Sequence, residues 1–314
     1  MEALRIGTRR SALARWQAEH IATLLRSVHP GLEVVIVPMS TKGDRFLGAP
    51  LAEIGGKGLF VQEIEQALLR GEVDLAVHSL KDLPAEVPDK LVLARPPPRE
   101  DPRDALVSRV GSSIGDLPRG ARVGTSSLRR AVQIRALRSD LEIVPIRGNV
   151  QTRLSRTLGP GDELLDAVVV ALAGLKRLGL DESVTEILDP ADVVPAVGQG
   201  ILAIEHRRDD ARTSEALAPL GDRDADLAAR AERSLLCRLG AGCHVPLGGY
   251  ARVGETLTLS AVLGDPETGR LYRIETKGPP LDGERIGRAA AEILLASEGA
   301  RALGQPLPRT TPES

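Results

Sequence analysis

Cys243 is the residue with the most distinctive chemical setting in the sequence. It lies in Leu239-Gly-Ala-Gly-Cys-His-Val-Pro-Leu-Gly-Gly249, where glycines permit close approach and no helical pattern hides the thiol. A nucleophile that forms a lasting covalent bond needs that access. Cys237, the only other cysteine, falls in the apolar run Leu235-Leu236-Cys237 and reads as buried and inert. A Cys–His protease is a poor reading, because His244 is adjacent and cannot readily turn its ring onto the thiol as a base. Two cysteines without a second pair or a His set at zinc spacing exclude a disulfide scaffold and give no metal site.

The apolar run Asp74-Leu-Ala-Val-His-Ser-Leu ends in Lys81-Asp82-Leu-Pro84, so Asp82 sits where a strand leaves its sheet. A carboxylate there faces a cleft as acid, base or counter-ion to a developing cation, or else forms a turn before proline. Lys81 and His78 flank it, and His78 is equally readable as a hydrogen-bonded core residue. Gly120-Ala-Arg-Val-Gly-Thr-Ser-Ser-Leu-Arg-Arg130 places a strand, a turn and a helix start in succession. Free N–H groups at such a start favour an anion, and Thr125, Ser126 and Ser127 add hydroxyls. Arg129 and Arg130 occupy the first turn, where the helix dipole disfavours cations unless something negative compensates, and an anionic ligand does so. The alternative is a helix merely capped by Ser127 whose arginines face solvent. Arg147 and Arg153 repeat this arrangement at the next strand end, either joining Arg129 and Arg130 around one polyanion or forming surface ion pairs. The loop Ile54-Gly-Gly-Lys-Gly-Leu-Phe60, with Lys57, reads as a lid or an ordinary connection; it lacks the spacing of a nucleotide P-loop.

The 314 residues, 42% hydrophobic, are enough for two or three domains. A net charge of −2 argues against bulk affinity for nucleic acid or an anionic membrane. Of 41 basic residues, 35 are arginine, which suits bidentate recognition of carboxylates or phosphates, although a biased genome gives the same excess. Neither a leader-type start nor a membrane-spanning run is present, so a cytoplasmic location and a monomer are expected.

Strands alternate with helices along the first two thirds of the chain, implying a parallel α/β sheet. Strands are expected at Leu4–Thr8, Glu33–Met39 and Asp74–Leu80, with helices from Ser11 and over Phe60–Arg70. Arg95-Pro-Pro-Pro-Arg-Glu-Asp-Pro102 marks a boundary, since consecutive prolines continue neither helix nor central strand. A second α/β unit follows, with strands at Ala105–Ser108, Arg122–Thr125, Glu142–Pro145 and Ala167–Ala171. The strand Ile201–Ile204 and the helix Ala211–Leu220 return to the first unit. A long helix to Leu239, three strands and a final helix form a small α+β unit. The expected domains are residues 1–97 with 201–219, residues 102–196, and residues 222–314.

In this order the motifs resemble the porphobilinogen deaminase (hydroxymethylbilane synthase) family. They are Gly7-Thr-Arg-Arg-Ser11, Val77-His-Ser-Leu-Lys-Asp-Leu-Pro84, Glu100-Asp-Pro-Arg-Asp-Ala105, Val123-Gly-Thr-Ser-Ser-Leu-Arg-Arg130, Arg147-Gly-Asn-Val150, Pro195-Ala-Val-Gly-Gln-Gly200 and Gly242-Cys-His-Val-Pro246. The resemblance implies two doubly wound α/β domains like periplasmic binding proteins, joined by a hinge, plus a small C-terminal α+β domain. It also implies a transferase that condenses four porphobilinogen molecules on a dipyrromethane cofactor and releases linear hydroxymethylbilane. It assigns the thioether anchor to Cys243 and charge stabilisation during ammonia loss to Asp82. Cofactor and substrate carboxylates fall to Arg9, Ser11, Lys57, Ser79, Lys81, Thr125, Ser126, Ser127, Arg129, Arg130, Arg147, Gly148, Arg153 and Gln199, and a ring at the loop to Phe60. Two positions depart from the family pattern: Glu53 stands where lysine is common, and His244 where glutamine is. The competing reading is a non-catalytic two-domain anion-binding module, which needs neither Asp82 nor a cysteine-bearing third domain.

Overall fold

The computed structural model describes residues 3–40, 61–161, 164–240, 245–297, 299 and 303. Among them, β1 (Leu4–Arg9), α1 (Ala12–Val28), β2 (Val34–Met39), α2 (Gln62–Leu69), β3 (Leu75–Ser79) and β4 (Leu91–Leu93) build the first sheet. The chain then passes to β5 (Asp104–Ser108), β6 (Arg122–Gly124), α3 (Leu128–Leu137), β7 (Glu142–Val144), α4 (Val150–Leu158), β8 (Ala167–Ala171), α5 (Leu172–Arg177) and β9 (Glu186–Ile187). It returns through β10 (Leu202–Arg207) and α6 (Ala211–Leu217). It ends in α7 (Arg223–Leu239), β11 (Leu247–Val253), β12 (Leu257–Gly264), β13 (Leu271–Gly278) and α8 (Gly283–Ala296).

The two five-stranded sheets share one topology, β2-β1-β3-β10-β4 and β7-β6-β8-β5-β9. In each, the first three strands are parallel and the fourth is antiparallel to its neighbours on both sides. The sheet expected to be parallel is thus parallel over three strands and mixed at the other two. The reason is connectivity: β5 and β10 each follow a crossing from the other sheet and enter at the end where the parallel strands finish, so they must run back. The crossings, near residues 94–103 and 188–201, bond to each other where Glu100 N–H donates to Gly200 O. Gly200 has φ +87° and its missing Cβ would lie 2.2 Å from Glu100 O, so the approach requires glycine.

Helices cover both faces of each sheet, as buried parallel strands require. Ile21 and Leu25 of α1 pack with Leu4, Ile6, Leu75 and Ile204 on one face of the first sheet. Ile64 and Leu68 of α2 pack on Ala76 and Leu91 on the other. Each fully buried Leu or Ile contributes roughly 1.5–3 kcal/mol. In the last domain, α7 and α8 cover one face of the antiparallel meander β11-β12-β13.

Several boundaries move. Leu80, expected to end a strand, instead begins a 3-10 turn, Leu80–Asp82, that swings Lys81 and Asp82 off the sheet. The strands β4 and β9, three and two residues long, and the short helix α5 are too brief to carry a periodic signal. Cys237 is exposed, not buried. On α7 the buried stripe runs through Ala228, Ala231, Leu235 and Leu239, and residue 237 is rotated about 200° from 235, off that stripe. Its Sγ donates to Ala85 O at 3.1 Å, and partial burial pushes the thiol up.

Candidate active site at the base of the cleft

The chemically loaded residues gather where the parallel strands end and the crossings begin. Asp104, the first residue of β5, is fully buried, and Arg129 and Arg130 are only 4% and 5% exposed. Arg129 Nη1 donates to Asp104 Oδ2 and to Val194 O, both at 2.7 Å. Arg130 donates through Nε and Nη2 to Asp104 Oδ1, at 3.0 and 2.7 Å, and through Nη1 to Val169 O. The counter-charge that a cationic first turn demands therefore comes from within the chain, and the arginines do not face solvent. Burial would raise the Asp104 carboxyl, but the two guanidiniums hold it well below the usual range.

Gln199 carries this network across the crossing. Its Nε2 donates to Asp104 Oδ1 at 2.8 Å and Pro102 O at 2.6 Å, leaving Oε1 to accept from Lys81 Nζ at 3.3 Å. Among the described residues no carboxylate lies within ion-pair distance of Lys81 Nζ. Burial, opposed by Asp82, brings the amine down to about 8, with Arg130 and Arg129 pushing the same way as burial. Arg153 Nε donates to Gly148 O at 2.9 Å; burial and Arg130 lower this guanidinium while Asp82 opposes them. Asp82 itself is exposed at the turn. Lys81, Asp82, Arg129, Arg130, Arg153 and Gln199 thus form one electrostatic unit drawn from both sheets.

Other expected residues are placed with structural duties. Ser11 caps α1, accepting from Ala14 N–H, and Ser127 caps α3, accepting from Arg130 N–H. Thr125 Oγ1 accepts from Ser127 N–H, and Ser126 Oγ donates to Ile146 O, tying this turn to the segment that presents Arg147. Arg147 is exposed, and Gly148 has φ +105° with the Thr152 side chain 2.7 Å from where a Cβ would lie, a place that suits glycine. Ser79 Oγ accepts from Gln17 Nε2 at 2.8 Å, and Arg9 closes β1. His78 is buried as allowed for, yet its Nε2 has no hydrogen-bond partner and lies 3.6 Å from Glu205 Oε2. Lys57, Phe60, Cys243, Glu53 and His244 lie outside the described residues.

Sequence reasoning missed three participants. Asp104 was legible only as part of a motif. Gln17 is buried in α1 against Ser79. Arg177, at the end of α5, is 7% exposed, donates to Gly200 O at 2.7 Å and lies over the Trp16 ring, and its burial brings it down to about 10. The signal for Arg177 existed, since α5 begins at the end of β8, another strand end on the same side.

Two sheet domains crossed twice by the chain, with buried arginines at the strand ends and a third domain attached, define a three-domain α/β scaffold whose cations gather where the crossings begin. Residues 4–215 match the family described as "Porphobilinogen deaminase, dipyromethane cofactor binding domain", and residues 227–296 match "Porphobilinogen deaminase, C-terminal domain". Proteins named porphobilinogen deaminase from Syntrophotalea carbinolica and Xanthomonas campestris pv. campestris are 51% and 50% identical to it. The alignments cover 96% and 97% of this chain and 95% and 100% of theirs. The chain belongs to the porphobilinogen deaminase family. Among solved structures, a putative methionine-binding lipoprotein from Bacillus subtilis is 13% identical with a TM-score of 0.43, covering 70% of this chain and 90% of its own. The aliphatic sulphonate binding protein SsuA from Escherichia coli is 19% identical with a TM-score of 0.40, covering 76% and 70%.

Proposed function

We infer that the chain is a hydroxymethylbilane synthase. It is a transferase that joins four porphobilinogen molecules, with loss of ammonia, on a bound dipyrromethane and releases the linear tetrapyrrole by hydrolysis. The observation that carries this reading is the surplus of positive charge at the base of the cleft. Arg129 and Arg130, both buried, share one fully buried carboxylate, Asp104, and half-buried Lys81 reaches that group only through Gln199. Such a surplus is costly without an anion and fits a ligand whose every pyrrole brings acetate and propionate groups. The dipyrromethane, when bound, supplies the nucleophilic pyrrole from which the chain grows.

The residues divide the work. Arg129, Arg130, Arg153 and Lys81 neutralise carboxylates, with Arg9, Arg147, Lys57 and the 125–127 turn completing the cradle. Asp82 lowers the energy of the positive charge left on porphobilinogen as its C–N bond breaks and the electron pair departs with nitrogen. Cys243 holds the primer by a thioether, Ser11, Ser79, Gly148 and Gln199 shape the floor, and Phe60 borders it. Residues 1–97 with 201–219 and residues 102–196 form the two walls of the cleft, and residues 222–314 carry the anchor. The same reading puts a monomeric enzyme in the cytoplasm; no helix among the described residues is long and apolar enough to cross a membrane.

Intact-mass measurement tests the assignment. The purified wild type is expected to carry an adduct of dipyrromethane mass that disappears in Cys243→Ser. Asp82→Asn is expected to keep the adduct and lose roughly 100-fold or more in turnover. An unmodified, inactive wild type refutes the reading.

A further inference from the structure

The buried network at the cleft base crosses from one sheet domain to the other, and a single side chain sits at its centre. Asp104 accepts from Arg129 on one oxygen, and from Arg130 and Gln199 on the other. Because Gln199 Nε2 is committed to Asp104 Oδ1 and Pro102 O, the amide can present only its oxygen to Lys81. Asp104 thereby fixes two guanidiniums on α3 and, one residue removed, an ammonium on the turn after β3. Backbone carbonyls complete the frame: Val194 O, in the returning crossing, and Val169 O, in β8, each accept from one of the arginines.

We propose that Asp104 is a positioning residue that sets the cations of both cleft walls in one register, acting on Lys81 through the Gln199 amide. This rests on the reading of the site as one for pyrrole carboxylates. Substrate carboxylates are held at fixed spacing on a rigid ring system, so cations on two separate domains must keep a matching spacing. Asp104 supplies this by chaining them to one buried atom pair, beside the two crossings that join the domains. Asp104 touches no substrate in this role; its effect is exerted through the groups it holds.

The test uses the full chain with two variants and a readout besides turnover. Asp104→Asn keeps the shape and removes the charge. Gln199→Met keeps the volume and removes the amide that links Asp104 and Pro102 O to Lys81, while the ion pairs of Asp104 with Arg129 and Arg130 stay in place. The six lysines can be labelled with ¹³C at Cε and titrated by NMR in the cofactor-free protein. The groups facing Lys81 are Asp82, Asp104, Arg129 and Arg130. Loss of the Asp104 charge must therefore move the Lys81 titration down, by about one unit. In both variants kcat for hydroxymethylbilane release is expected to fall about tenfold or more, with a smaller change in KM, as misplacement of positioning groups produces. Asp104→Glu should recover part of the loss. A folded Asp104→Asn with an unmoved Lys81 titration, or a folded Gln199→Met with wild-type kcat, overturns the proposal. If Asp104→Asn does not fold, Gln199→Met decides. Absence of hydroxymethylbilane release by the wild type would instead count against the parent reading.

Discussion

Glu232, fully buried on α7, accepts four hydrogen bonds. Ala251 N–H at 2.7 Å and Arg99 Nη1 at 2.6 Å reach Oε1; Gly198 N–H at 2.6 Å and Arg99 Nη2 at 3.3 Å reach Oε2. One carboxylate therefore joins the third domain to both crossings. Glu232→Gln leaves a single acceptor oxygen, and whichever way the amide turns, its NH₂ meets a backbone N–H and a guanidinium N–H. Breaking a buried ion pair from one side costs about 3–5 kcal/mol, and a buried donor left unpaired about 1–3. These overlap, so a loss of about 4 kcal/mol is expected. Arg99→Met should cost about 3 kcal/mol or less, because both backbone N–H groups still hold the carboxylate. At 2–4 °C per kcal/mol, Glu232→Gln should melt roughly 8–16 °C below wild type by differential scanning calorimetry, with Arg99→Met in between. A reversed order, or a Glu232→Gln within about 2 °C of wild type, would refute the reasoning.

The Lys81 amine at about 8 lies below its ordinary value near 10.4, so between those values the unfolded chain binds a proton the folded chain has released. In that window this group makes unfolding harder as pH rises. An anion at the site favours the charged amine, so affinity of the Cys243→Ser protein for hydroxymethylbilane should fall above pH 8, by up to about tenfold per unit. Lys81→Arg should flatten that fall, and an equally steep fall in Lys81→Arg would exclude the assignment. Gly200→Ala forces a side chain into a left-handed position against Glu100 O. It should lower the melting temperature by at least about 4 °C and slow turnover, whereas a neutral result would show that the crossings are not packed this tightly.

Long amphipathic helices and strand ends were readable because they depend on local pattern. Ser11 and Ser127 cap the helices their positions announce, and Lys81 and Asp82 leave the sheet where the following proline marks a turn. What sequence could not supply was pairing. Whether Arg129 and Arg130 met a ligand, solvent or the chain itself depended on Asp104, 25 residues away at the start of a strand from another crossing. The direction of β5 and β10 was hidden for the same reason, since it follows from the end at which the chain enters each sheet. Cys237 shows the limit of reading an apolar run by neighbours: helical rotation, not adjacency, decides burial.

Cys243, proposed as the anchor, follows α7 in sequence, whereas the cations bonded around Asp104 come from the two sheet domains, so on that proposal primer and cradle must be held in one frame. Glu232 stands seven residues, about 10 Å along the helix, before Leu239, the last residue of α7, and Cys243 follows four residues later. Its bonds to Gly198 and Arg99 therefore hold α7 against the same crossing that carries Gln199. A second tie runs from β13, where Arg273 donates to Ala191 O, Asp192 O and Gln133 Oε1. Gln133 in turn donates to Val194 O, which also accepts from Arg129. The third domain is thus bonded to the returning crossing at Ala191 and Asp192 and at Gly198, on either side of Val194, whose carbonyl accepts from Arg129. The ties through Glu232 and Arg273 thus place α7 and β13 in one bonded frame with the crossing that reaches Asp104, the buried carboxylate at the centre of that network.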